Sequence, residues 1–222
     1  MNPPVTSPGA QLVTLLASLM LVLQVLIVAQ RMLVTNIRLF ALQSLLLSAI
    51  AAVVGYTYSA WHVFLVAGLT LIGKVLFLPW LLERSVRQIR IEQEAHPWLN
   101  MPASMLTCGA LTVLGYVLAR PFTSLERLGS NTLAVALTLL LTGFFLMMNR
   151  RKAITQVLAL LTTENGVMLA AIALSTYGMP LVVEMGIFFD VVIAVMVFGI
   201  LVFRIRESFA SMDTHKLSEL KW

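Results

Sequence analysis

The strongest constraint on this chain is that its apolar residues come in blocks of roughly 20, the length a helix needs to cross about 30 Å of hydrocarbon. Seven such blocks can be traced, over 11–30, 37–57, 61–82, 100–119, 131–149, 153–175 and 180–203. Hydrocarbon offers no partner to a backbone N–H or C=O, so each block is expected to be an α-helix, which satisfies its backbone internally. The predicted fold class is an all-α integral membrane protein with seven transmembrane helices. These blocks take up most of the 222 residues and leave no soluble domain between them. Only 11% of residues are charged, against about a quarter in soluble domains.

The charges set an orientation. Alternate connections put Arg31 and Arg38, then Arg84, Arg87 and Arg90, then Arg150, Arg151 and Lys152, then Arg204, Arg206, Lys216 and Lys221 on one side. The other side has Arg120 and Arg127, a split of 12 to 2. The positive-inside rule then places the N-terminus outside and the C-terminus in the cytoplasm. The same placement explains the net charge of +5 without nucleic acid, because the basic residues sit at helix ends. Residues 1–10 read as an N-terminal tail, since "MNPPVTSPGAQ" lacks the basic start of a signal peptide. The segment 83–99, "ERSVRQIRIEQEAHPWL", is the largest stretch outside the spans and reads as a cytoplasmic, interfacial piece, and 204–222 as a cytoplasmic tail.

Several chemistries are excluded. Cys108 is the single cysteine, so there is no internal disulfide and no thiol cluster for zinc or iron–sulfur. No G-x-G-x-x-G, Walker A, H-E-x-x-H or C-x-x-C motif occurs, nor a nucleophile elbow. His62 falls at an outer helix end, and His96 and His215 fall in cytoplasmic segments, so no pair suits a haem. The chain is expected to carry no catalytic centre, no metal and no cofactor of its own.

A weak repeat is visible at an offset of 119 residues, pairing Arg31 with Arg150, Leu42 with Leu161, Ala51-Ala52 with Ala170-Ala171, and Thr57-Tyr58 with Thr176-Tyr177. It describes two parallel sets of three helices, with the fourth helix as linker, an arrangement found in transporters. Chance similarity between apolar helices competes with it. Glu164 is opposite Leu45 under this offset, so the first copy lacks the acid.

Four ionisable residues fall within spans: Lys74, Glu164, Glu184 and Asp190. A charge at the centre of a membrane helix costs about 2.5–3.5 kcal/mol even on the lenient insertion scale, so such residues face protein or water and mark ion or proton paths. Glu164, in "LLTTENGVMLAA", and Asp190 both fall near the midplane, on consecutive antiparallel helices. Glu184 lies near the outer end of its span, and either it or Asp190 could act as the second acid. Lys74 could extend its stem to the inner surface or pair with Glu164 or Asp190. Desolvation disfavours the charged form of such groups and an opposite charge restores it, so a chain of them can pass a proton. Thr162, Thr163 and Asn165 are candidates to support Glu164 by hydrogen bonding, and Gly166 permits close helix approach.

Three stretches, "HVFLVAGLTLIGKVLFLPWLLER" (62–84), "TTENGVMLAAIAL" (162–174) and "LVVEMGIFFDVVIAVMVFGILVFRI" (181–205), resemble component E of hydrogenase-4 and formate-hydrogenlyase type membrane complexes. The resemblance covers nearly the whole chain. The last three spans, 131–203, also resemble the three-helix K-type subunit of respiratory complex I and the C-type subunit of multisubunit sodium/proton antiporters. Helices one to four, 11–119, have no counterpart there. The resemblance implies a non-catalytic subunit of a group 4 [NiFe]-hydrogenase type complex, embedded in the bilayer between antiporter-like subunits and the membrane anchor subunit. It implies that the nickel–iron centre and iron–sulfur clusters belong to those partners. Glu164 would hold the first acidic position of a buried polar axis, and Asp190 or Glu184 the second. The alternatives are a subunit of a cation/proton antiporter without redox partner, and a purely structural scaffold.

Overall fold

A computed structural model describes residues 8–57, 59, 61–89, 98–122 and 131–174. Six helices in these residues are long and apolar enough to cross a membrane. Helix α1 runs Pro8–Ala29 and α2 Leu33–Thr57. The third span is one rod in three parts: α3 over Trp61–Thr70, a π-helical turn over Leu71–Phe77, and α4 over Leu78–Ile89. Helix α5 is Met101–Ala119, α6 Thr132–Asn149 and α7 Ala153–Leu174. The seventh expected span, 180–203, lies outside the described residues, and so do Glu184 and Asp190.

The third span departs from the sequence expectation at both ends of its C-terminal half. Pro79 has no N–H, and its ring clashes with the carbonyl four residues earlier in a regular α-helix. The turn before it is wound in the wider π register, with the Leu78 N–H donating to the Gly73 carbonyl. Single π turns are frequent at functional sites, and this one carries Lys74. Beyond Pro79 the rod continues to Ile89, so the first part of the 83–99 segment prolongs the span. There Glu83 pairs with Arg38 of α2 at 3.3 Å and with Arg87 at 3.7 Å.

Side-chain packing divides the bundle into layers. One apolar cluster joins Val13 and Met20 of α1, Leu47 and Ile50 of α2, Val66 of α3, Leu139 of α6, and Met168 and Leu169 of α7. A second joins Leu33, Ile37 and Phe40 of α2, Leu78 and Leu82 of α4, and Leu158 and Leu161 of α7. Helices α6 and α7 approach closely through glycines. A Cβ on Gly143 would lie 2.9 Å from the backbone nitrogen of Thr163, and one on Gly166 would lie 2.8 Å from that of Leu140. Gly115 of α5 likewise abuts Thr138 of α6. Small residues at such crossings are the usual way membrane helices gain contact, because lipid supplies no hydrophobic drive between them. Helix α5 buries only a narrow stripe, Ser104, Cys108, Gly115 and Ala119, and turns Leu106 and Val113 outward.

The basic end of the bundle is held by Arg150. Its Nη2 donates to the carbonyls of Ile27 at 3.3 Å, Val28 at 3.1 Å and Gln30 at 3.1 Å. These carbonyls close α1, where a cation also meets the negative end of the helix dipole. Burial, aided by the nearby charge of Arg31, pushes the Arg150 guanidinium down to about 10, still far enough above neutrality to keep the charge. Next to it the Asn149 side chain accepts from the Leu99 N–H at 2.8 Å and donates to Ser104 Oγ at 3.0 Å, and Arg151 stacks over Trp98. Arg150→Met should therefore destabilise the chain by about 1.5–3 kcal/mol, the range for hydrogen bonds to a charged group. Arg150→Lys should recover little, because an ammonium lacks the guanidinium fork. Thermal unfolding of detergent-solubilised protein checks both.

Candidate functional site: a buried ion pair in a polar layer

Glu164 stands ten residues from each end of its span, Ile154–Leu174, and Lys74 stands eleven from Val63 and ten from Arg84 in its own. Both are therefore at mid-depth. The π turn aims Lys74 inward, and its Nζ meets Glu164 Oε1 at 3.1 Å, with the two side chains only 4% and 5% exposed. Of the two sequence options for Lys74, extension to the surface or pairing, the structure has the pair. Two opposite charges in a low-dielectric interior attract strongly, but each has lost its hydration, so such a pair persists only with further polar contacts.

Those contacts come from Asn165, an expected supporting residue, and beyond it from Gln43, Ser44 and Gln24, which were not among the expected site residues. Lys74 Nζ also donates to Asn165 Oδ1 at 3.3 Å. Asn165 Nδ2 donates to Gln43 Oε1 at 3.3 Å and to Ser44 Oγ at 3.1 Å. Gln43 Nε2 donates to Gln24 Oε1 at 3.0 Å and to the Met20 carbonyl at 3.3 Å. All of these side chains are buried. Four elements, α1, α2, the π turn and α7, thus share one hydrogen-bonded array that runs across the bundle. The signal in the sequence was a glutamine inside each of two apolar runs, "LVLQVLIV" and "FALQSLLL". A search restricted to ionisable residues passes over them.

The array is enclosed along the membrane normal. On α2, Gln43 and Ser44 lie between Phe40 of one apolar cluster and Leu47 of the other. On α7, Glu164 and Asn165 lie between Leu161 and Met168, and in the third span Lys74 lies between Val66 and Leu78. The polar groups form a layer with apolar side chains toward either membrane face.

The threonines before Glu164 have a different use from the one expected. Thr162 Oγ1 and Thr163 Oγ1 both donate to the Ala159 carbonyl of their own helix, at 2.8 and 2.9 Å. Thr163 also fills the crossing opposite Gly143. Asn165 is the polar neighbour that reaches the ion pair. Among the described residues no group of His, Cys, Asp and Glu could hold a metal ion.

The chain is 35% identical over 199 residues to the uncharacterised protein Rv0085 of Mycobacterium tuberculosis, covering 89% of this chain and 90% of that one. It is 29% identical over 217 residues to hydrogenase-4 component E of Escherichia coli K12, covering 96% of this chain and 99% of that one, and equally to the Shigella flexneri protein of the same name. No family model matches the chain, and no solved structure matches it significantly. With this similarity along nearly its full length, the chain belongs to the family of Mycobacterium tuberculosis Rv0085, and hydrogenase-4 component E is a more distant full-length relative.

Proposed function

We propose that this chain is a non-catalytic membrane subunit of a hydrogenase-4 or formate-hydrogenlyase type complex, in which it handles protons coupled to redox chemistry in other subunits. The observation that carries the proposal is the mid-depth Lys74–Glu164 pair, joined to a lateral polar layer in a relative of hydrogenase-4 component E. An ion pair this deep is hard to justify as glue, since apolar side chains of similar volume often pack as well or better. Lys74 and Glu164 can exchange a proton over 3.1 Å with little motion. Apolar clusters toward both faces disfavour passage straight through the chain and favour exchange sideways, toward neighbouring subunits. In this reading Glu184 and Asp190 continue the path on the seventh span, and the N-terminus faces outward. The partners are antiporter-like subunits and the membrane anchor subunit, and the nickel–iron centre and iron–sulfur clusters reside in partner chains.

The test separates turnover from coupling. Glu164→Gln keeps the size of the side chain and an acceptor for Lys74 but removes the titrating group. In membranes containing the assembled complex, hydrogen turnover should persist while coupled proton movement falls by about a hundredfold, the scale of a lost proton-transfer group. Unchanged proton movement would refute the role of this site. A purified assembly with sodium-dependent exchange and neither nickel nor iron would favour the antiporter reading instead.

A further inference from the structure

The hydrogen bonds that lead away from Lys74 run in one direction. An ammonium can only donate, so Asn165 must present Oδ1 to Lys74 and turn Nδ2 away. Nδ2 in turn needs acceptors, and it finds Gln43 Oε1 and Ser44 Oγ. At the far end a backbone carbonyl can only accept, so Gln43 must present Nε2 to Met20 O, which leaves its Oε1 for Asn165. The two ends independently demand the same orientation of both amides. Gln24 Oε1 accepts from the same Gln43 nitrogen. The amide oxygens of Asn165 and Gln43 therefore point toward Lys74, and their amide nitrogens point away from it, that of Gln43 toward α1.

From this we infer that Asn165, Gln43 and Ser44 are positioning residues that hold the proton on Lys74 and close its α1 side. The inference rests on the proton-handling role proposed above for Lys74 and Glu164. A primary amide locked in this orientation has no basic lone pair on nitrogen to take a proton, because that pair is delocalised into the carbonyl, and no freedom to turn and release one. Asn165 Oδ1 stabilises the ammonium, and if Asn165 turned over it would set two donors against each other. Transfer from Lys74 Nζ to Glu164 Oε1 breaks one N–H bond, forms one O–H bond and leaves a neutral amine opposite a neutral acid. The amide series opposes that step at rest and leaves the Glu164 side as the route for the proton when the pair does exchange.

Asn165 has two acceptors, Gln43 Oε1 and Ser44 Oγ, and either one suffices to keep its nitrogen turned away. This gives the inference a signature that simple packing does not have. The measurement is the infrared spectrum of the full-length chain in lipid nanodiscs at neutral pH, with Glu164→Gln as the blank that assigns the protonated Glu164 carbonyl band. The native chain, Gln43→Leu and Ser44→Ala should all lack the band. The double variant Gln43→Leu/Ser44→Ala should show it. Asn165→Leu, an apolar change in an apolar span, should show it too and supplies the result if the double variant does not fold. In the assembled complex both should lose coupled proton movement at least about tenfold, the scale of one hydrogen bond to a charged group. The inference is overturned if the band is absent from Asn165→Leu and the double variant, or present in the native chain, or if the two single variants show it additively. It fails separately from the proposed function: an effect of Glu164→Gln on coupling with no effect of Asn165→Leu on the band would keep the first and discard the second.

Discussion

Lys74→Met is expected to reduce the folded protein in the membrane severely, and adding Glu164→Gln to the same chain is expected to restore it. Methionine fills most of the volume of the lysine stem, so the loss would come from charge. Without Lys74, the Glu164 carboxylate is left 5% exposed and without the cation that offsets its desolvation. Removing one partner of a buried pair destabilises by about 3–5 kcal/mol, whereas replacing both by neutral groups of similar size is often neutral or stabilising. Folded fraction by size-exclusion profile and thermal unfolding of the two variants would read the difference. The double variant should assemble and yet be inactive in coupled proton movement. That combination, folded but uncoupled, distinguishes a pair kept for proton handling from a pair kept for stability. If instead Lys74→Met folds as well as the native chain, Glu164 is not held as an ion in the resting molecule, and the reading of the pair changes.

Much of this architecture is legible from hydropathy. The first six expected spans each coincide with a described helix to within a few residues, because bilayer thickness dictates length and lipid dictates helix. The offset of 119 also carries the break between Ala29 and Leu33 onto the break between Asn149 and Ala153 to within one residue. Its paired arginines are nonetheless used differently, since Arg150 is buried against α1 while Arg31 is exposed. The site was legible only in part. Glu164 and Lys74 stand out because charge is rare in spans. Their pairing depends on a π turn that a lone Pro79 suggests but does not specify. Gln24, Gln43 and Ser44 are uncharged, and nothing in one helix says that its amide will face another. Thr162 and Thr163 looked like partners for Glu164 by adjacency. Neighbours in a helix point about 100° apart, and a threonine hydroxyl can satisfy itself on its own helix.

Gly166→Ala is expected to uncouple the chain without touching a charge. A Cβ at Gly166 would lie 2.8 Å from the Leu140 nitrogen and 3.0 Å from the Ala136 carbonyl oxygen, both backbone atoms of α6 that cannot rotate away. The helices must separate, and overpacking of this kind costs about 1–3 kcal/mol. Gly166 is two residues from Glu164 and adjacent to Asn165, so the same displacement alters the 3.1 Å contact with Lys74 and the 3.3 Å contact with Asn165. A hydrogen bond is sensitive to shifts of a few tenths of an ångström, whereas apolar layers above and below can absorb them. Coupled proton movement should therefore fall further than thermal stability would suggest. The control is the same change on α5: nothing lies within 4 Å of a Cβ at Gly109, so Gly109→Ala should be neutral or slightly stabilising. Equal effects of the two substitutions would mean that α6 and α7 are not clamped at Gly166, and that the position of Glu164 is set from the α2 side alone.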